Sequence, residues 1–253
     1  MNPSQTNETG GFFEIAKAFS RSLAAITPAL VLSCLLSWFP PFSAKPANAD
    51  GGHPGQSSNP WTPDTALEAL KAGNARFVSG KSVHPNSDKK LLETLASEGQ
   101  FPLAAILSCS DSRVPVEEIF DLGFGDIFSI RVAGAVPGSD QLGSLEYSVE
   151  HLGTPLVVIM GHTRCGAVTA AIQGADEGGN LGELIEKLSP LASAVANIPE
   201  TDRLNAAIKL SVARFGEEIP SLSPPIDEAV KSGKLRLVTA ICDIDTGLVT
   251  FGE

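Results

Sequence analysis

Cations are scarce in this sequence. Its 18 Lys and Arg stand against 29 Asp and Glu, a formal net charge of −11. Binding a phosphate backbone requires a basic surface, so nucleic acid is excluded as a partner. The acidic excess reads instead as a solvated face that keeps the protein soluble. Long apolar runs are scarce too: one stretch, Leu23–Phe39, approaches membrane-spanning length, and it lies at the short edge of that range. Cysteine is rare, with Cys34, Cys109, Cys165 and Cys242 the full complement, and no internal repeat is present. An apolar fraction of 43% still supplies a buried core for one or two domains.

The first fifty residues differ from the rest. Lys17 and Arg21 precede the apolar run, and Pro40, Pro41 and small residues follow it up to Ala47-Asn48-Ala49, the A-x-A form of a signal-peptidase site. We expect residues 1–49 to be an export signal cleaved after Ala49, with an uncleaved membrane anchor as the alternative. Only the anchor would bring membrane contact. No arginine precedes Arg21, so a twin-arginine signal is not indicated. Export points to the periplasm, with the thylakoid lumen as the other compartment. Cleavage leaves three cysteines. Exported chains ordinarily pair cysteines as disulfides, so an odd number leaves at least one for another task.

Residues 50–61 read as a Gly/Pro/Ser-rich linker and residues 62–253 as one domain. Thr62 is expected to cap a helix with Pro63 at its first position and Asp64 in its first turn. Ala66, Leu67, Leu70 and Phe77 form the apolar stripe, and Gly80 marks the end. A short helix is expected near residues 91–97. "PLAAILSC", "DIFSIRVAG" and "PLVVIMGH" are near-continuous apolar runs of the kind that form strands buried on both faces. Between the last two, Leu142, Leu145, Val149 and Leu152 keep helical spacing, with Ser139 as the expected N-cap and Gly153 past the end. A mostly helical segment spans about 180–232. Two closing strands flank the turn signal Asp245-Thr246-Gly247. The fold class is therefore α/β: a twisted, mostly parallel sheet flanked by helices, with an N-terminal helical arm and a C-terminal antiparallel edge strand.

Chemistry concentrates at the carboxyl ends of two of these strands, where sites form in open α/β sheets. Cys109 ends the first run and His162 the third. His162 and Cys165 are three residues apart, which on the first turn of a helix would place them on one face. Two sulfurs and one imidazole select Zn²⁺, with Asp111 available as a fourth ligand or held back to leave room for water. On spacing alone this reading stands beside two others, a Cys109–Cys165 disulfide and cysteines that merely fill the core.

"CSDSRVP" followed by "GHTRCGAV" resembles the paired signature of β-class carbonic anhydrases, and the similarity runs from about Thr62 to Phe251 through "ALEALKAGNARFVSG", "FDLGFGDIFSIRVAG", "LGSLEYSVEHL" and "AICDIDTGLVTF". The resemblance implies an enzyme that hydrates carbon dioxide reversibly to bicarbonate by attack of zinc-bound hydroxide. It implies one Zn²⁺ per chain on Cys109, His162 and Cys165, Asp111 and Arg113 as a catalytic dyad, and the Gly166 amide as a bicarbonate-binding group. In a closed form of such a site Asp111 itself ligates the metal. The resemblance further implies a homodimer or a dimer of dimers. Two alternatives keep the fold: a carbonyl sulfide or carbon disulfide hydrolase, and a non-catalytic zinc protein that binds bicarbonate.

One departure stands out. Plant-type members carry a substrate-binding glutamine where this chain has Gly123, so another group must serve; Gln141 and Gln100 are the nearby amides in sequence. Phe120, Val132 and Tyr147 are candidates to line the CO₂ pocket, with a core role as the simpler alternative. Cys242 reads as a buried free thiol, His151 as a partner of a helix carboxyl end, and His53 and His84 as linker and loop histidines.

Overall fold

The computed structural model describes residues 59–252. The expected export signal and the linker up to residue 58 lie outside the described residues. The linker's last three residues belong to the folded unit: Asn59 Nδ2 donates to Pro102 O at 3.0 Å, and the Trp61 ring packs against the core. The domain thus begins before Thr62.

Helix α1 (Pro63–Val78) starts as its sequence dictates. Thr62 Oγ1 accepts from Thr65 N at 3.2 Å, Thr65 Oγ1 accepts from Thr62 N at 3.0 Å, and Pro63 occupies the first turn. Ala66, Leu67 and Leu70 are buried, while Phe77 lies half-buried against the core. Helix α2 (Lys89–Glu98) buries nothing fully. Then come β1 (Ala104–Ser108), α3 (Val116–Ile119), β2 (Ile127–Arg131), a 3₁₀ turn at Ala133–Ala135, α4 (Ser139–Glu150) and β3 (Leu156–His162). Gly138 rather than Ser139 is the N-cap of α4, and Gln141 Oε1 accepts from Gly138 N at 3.2 Å. Helices α5 (Gly166–Ile172), α6 (Gly179–Glu186), α7 (Pro190–Ala194), α8 (Glu200–Leu222) and α9 (Pro224–Lys231) precede β4 (Arg236–Cys242) and β5 (Val249–Phe251).

The sheet has the order β2-β1-β3-β4-β5. Strands β1 to β4 run parallel, and β5 pairs antiparallel with β4. Successive side chains of a strand point to opposite faces, and every residue of β1 and β3 is buried, so both faces of the sheet centre are covered. That explains the unbroken apolar runs. Strand β2, at the edge, is only half-buried. Helix α8 places Ile208, Val212 and Phe215 in the core against β3 and β4. The approach is close: a Cβ at Gly161 would lie 2.9 Å from Val212 Cγ1. Parallel strands carry all their carboxyl ends to one edge of the sheet, and β1 and β3 are neighbours there.

Candidate metal centre

Ser108 of β1 pairs in register with Met160 of β3, so the residues that follow, Cys109 and His162, emerge side by side. Cys165 joins them by a route other than the helical face expected from its spacing. His162 is the last residue of β3, the chain reverses through Arg164 in the left-handed region (φ +58°), and Cys165 is the N-cap of α5. A strand-to-helix turn, not a helix, brings imidazole and sulfur together. The ligand atoms of Cys109, His162 and Cys165 all lie within 4.8 Å of one another, and all three residues are buried. The cysteines are free thiols, so the Cys109–Cys165 disulfide is set aside.

The donor set fits a soft divalent cation. His162 Nδ1 lies 2.8 Å from the carbonyl oxygen of Thr163, which only an N–H can satisfy, so the lone pair sits on Nε2. That nitrogen is buried with no hydrogen-bond partner among the described residues. An orphaned buried acceptor beside two thiols is costly unless something fills the gap. The sulfurs themselves cannot both ionise without a cation. Cys109 is drawn down to about 4, chiefly by the Cys165 hydrogen bond and against its burial, with help from His162 and the Asp111 and Gly134 backbone. Cys165 is pushed up, first by the proximity of Cys109 and then by burial. One proton is thus held between two sulfurs, and a metal ion would replace it.

Asp111 and Arg113 form the second unit. Arg113 Nε donates to Asp111 Oδ1 at 2.9 Å and Nη2 to Oδ2 at 2.7 Å, and the Arg113 backbone N–H adds a third bond to Oδ1 at 3.0 Å. This bidentate grip holds the carboxyl well below the usual carboxylate range. Asp111 Oδ2 nonetheless stays 3.9 Å from His162 Nε2. The carboxylate borders the candidate metal position; Arg113 gives two bonds to Oδ1 and one to Oδ2, which leaves Oδ2 able to accept one more. Gly166 opens α5 directly after Cys165, and a Cβ there would meet nothing within 4 Å.

Other sequence candidates fall elsewhere. Phe120 is fully buried core, packed against Phe251. Val132 is half-buried, and Tyr147 is exposed between Phe128 and His151. Gln141 is committed to capping α4, and Gln100 lies at the opposite end of β1 from Cys109. At Gly123 no side chain fits, because a Cβ would stand 2.3 Å from Pro85 O and 2.4 Å from Asn86 O. Residues 83–86 lie over that position, fixed by bonds from Val83 N and His84 N to Asp121 and from Phe124 N to Asn86 O. A cavity of about 720 Å³ at the amino-terminal edge of the sheet, lined by Trp61, Thr154 and Leu235 among others, touches none of the ligand residues.

Four residues that bear on the centre were not foreseen. Arg131 donates to the carbonyl oxygens of Cys109 and Asp111, and Gly134 N–H donates to Cys109 Sγ. Thr163 Oγ1 accepts from Ile244 N at 3.0 Å, and Arg164 pairs with Asp245 at 2.6 Å. Only spatial neighbours reveal these roles.

A family model described as carbonic anhydrase matches residues 104–249, a span that holds both signature loops. The chain belongs to the β-carbonic anhydrase family. As a member of that family it is an enzyme of the carbonic anhydrase type. Carbonic anhydrase 2 of Mycobacterium tuberculosis is 38% identical over 192 residues, covering 73% of this chain and 90% of that protein. Carbonic anhydrase of Mycolicibacterium smegmatis is 41% identical over 150 residues, or 57% of this chain and 72% of that protein. The fold is shared with a β-carbonic anhydrase of Aspergillus fumigatus, with a TM-score of 0.60 at 28% identity over 75% of this chain and 90% of that one. Tetrameric β-carbonic anhydrases of Sordaria macrospora give a TM-score of 0.59 at 27% identity, over 74% of this chain and 96% of theirs.

Proposed function

We propose that this carbonic anhydrase interconverts CO₂ and water with bicarbonate and a proton, using one Zn²⁺ per chain held by Cys109 Sγ, His162 Nε2 and Cys165 Sγ. The observation that carries the reading is the buried, unpartnered His162 Nε2 facing two thiol sulfurs, with Asp111 held beside it. Bound zinc makes hydroxide available near neutral pH, a property for which carbonic anhydrases themselves are the familiar case.

The chain's own residues do the rest. Thr163 O fixes the tautomer of His162 and so aims Nε2 inward. Asp111, ionised because Arg113 grips it, can only accept a hydrogen bond, and it orients the attacking oxygen by doing so. Arg113 occupies both carboxylate oxygens and keeps Asp111 from becoming a ligand, the arrangement of an open site. The amide of Gly166, an exposed residue next to Cys165, binds an oxygen of bicarbonate. The proton released leaves to solvent. We assign the N-terminal segment as an export signal and the mature chain to the periplasm.

The working unit is a homodimer or a dimer of dimers. The edge of β2, unpaired among the described residues, and the exposed Phe124 and Tyr147 rings support that, as does the tetrameric state named for the Sordaria relatives.

Stopped-flow CO₂ hydration on the chain starting at residue 50, before and after chelation and with Zn²⁺ restored, tests the reading. Rapid turnover lost on chelation and recovered with zinc is expected. A zinc-replete chain that leaves CO₂ untouched, or one equally active without metal, would sink it.

A further inference from the structure

The segment from Arg131 to Gly134 borders the metal centre without belonging to either signature loop. Arg131 closes β2, in register with Ser108, and its half-buried side chain crosses to the neighbouring loop. Nε donates to the carbonyl oxygen of Cys109 at 3.0 Å, and Nη2 to that of Asp111 at 2.5 Å. Three residues on, Gly134 N–H reaches Cys109 Sγ at 3.4 Å. Gly134 adopts φ +67°, and a Cβ there would meet Leu188 Cδ1 at 2.9 Å and Ala167 Cβ at 3.3 Å. The segment is therefore wedged between the Cys109 loop and the helix that follows Cys165.

Two carbonyls on one guanidinium fix the Cys109–Ser110 and Asp111–Ser112 peptide planes, one at each end of the short stretch from Cys109 to Asp111. Asp111 is then held twice, by its main chain through Arg131 and by its carboxylate through Arg113. The fork of a guanidinium offers the two carbonyls two donors in a rigid geometry, whereas an ammonium is a point donor on a flexible stem. The main chain is thereby pinned at both ends of the stretch from Cys109 to Asp111, and a catalytic carboxylate tolerates little misplacement.

We propose that Arg131 is a positioning residue of this enzyme, acting through Asp111 by locking the main chain between Cys109 and Asp111. The proposal rests on the zinc-dependent hydration reading above. It does not place Arg131 in contact with substrate.

The test is a double-mutant cycle in the zinc-loaded chain, with Arg131→Met and Arg131→Lys made alone and with Asp111→Asn. Arg131→Met is expected to keep its zinc and its fold, to lose about 10- to 100-fold in kcat, and to change KM by less than about 3-fold. Arg131→Lys should recover part of the loss by holding one carbonyl. In the Asp111→Asn background, Arg131→Met should cost less than about 3-fold more, because the group it positions can no longer act. Zinc affinity by chelator competition gives a readout independent of turnover, expected to fall about 10-fold in Arg131→Met through Cys109.

An Arg131→Met chain with wild-type kcat and zinc affinity would overturn the assignment. So would an equal loss in the presence and absence of Asp111→Asn, or failure of both Arg131 variants to fold. An inactive wild type would instead sink the proposed function itself, so the two failures are distinguishable.

Discussion

The two loops that meet at the metal centre are held by different means. The Cys109–Arg113 loop is tethered by cationic side chains: Arg113 grips the Asp111 carboxylate, and Arg131 grips the Cys109 and Asp111 carbonyls. The His162–Cys165 loop is held by backbone. Thr163 N–H donates to Cys242 O at 2.9 Å, Thr163 O accepts from the His162 Nδ1–H, and Arg164 turns the chain with a positive φ. The first loop carries the carboxylate we propose as a hydrogen-bond acceptor; the second carries two of the proposed ligands and no acid. Charged tethers are adjustable and sensitive to substitution, whereas a backbone lock defines a ligand and tolerates changes in the side chains around it.

Removing a ligand from the backbone-held loop should have the largest effect. Cys165→Ser is expected to bind no zinc at stoichiometric supply and to hydrate CO₂ at the uncatalysed rate. Metal analysis checks it, and a zinc-loaded, active variant would refute the ligand assignment. The next effect belongs to the tethered loop. Asp111→Asn should retain one zinc per chain while kcat falls about 10²- to 10⁴-fold, the range for a lost proton-handling group. A metal-free Asp111→Asn chain would instead make Asp111 an obligatory ligand.

Smaller effects separate the two kinds of anchor. Thr163→Val keeps the carbonyl that orients His162 and removes only the hydroxyl that accepts from Ile244 N. Denaturation should show a loss of about 1–2 kcal/mol, with kcat nearly unchanged; a large fall in kcat would mean that the hydroxyl, not the backbone, aligns the loop. Arg164→Ala breaks an ion pair whose two side chains are 64% and 55% exposed, so it should cost less than about 1 kcal/mol.

The tethered loop also has a pH signature. Arg113 lowers the Asp111 pKa in the folded chain. Its stabilisation is therefore present above the unfolded carboxylate value, about 3.9, and is lost as pH falls through the lower folded value. In metal-free chains the stability difference between wild type and Asp111→Asn should stay flat from about pH 8 to pH 5 and shrink below about pH 4. A gap that widens on acidification would contradict the dyad.

The residues that the fold brings together at the candidate site, Cys109, Asp111, Arg113, His162 and Cys165, stood out in the sequence because such chemistry is unusual at the ends of apolar strands. The strands themselves were legible because a sheet centre buried on both faces has no polar alternation. The spacing of His162 and Cys165 suggested a helix face, yet a reversal at Arg164 brings them together; a three-residue offset fits both, and only φ distinguishes them. Arg131 and Thr163 could not be found this way, because what they bind is main chain, set by the register of β2 on β1 and of β4 on β3. Gly123 was visible as a missing amide, but the approach of Pro85 and Asn86 that forbids any side chain there is purely tertiary. Asn59 to Trp61 looked like linker by composition, whereas one amide bond and one indole tie them to the domain.

X-ray absorption at the zinc edge of the metal-loaded wild-type chain tests the central claim most directly. Two sulfurs, one imidazole nitrogen and one further light atom are the expected ligands, with the light atom retained in Asp111→Asn. A shell with one sulfur or none would contradict the Cys109–His162–Cys165 centre.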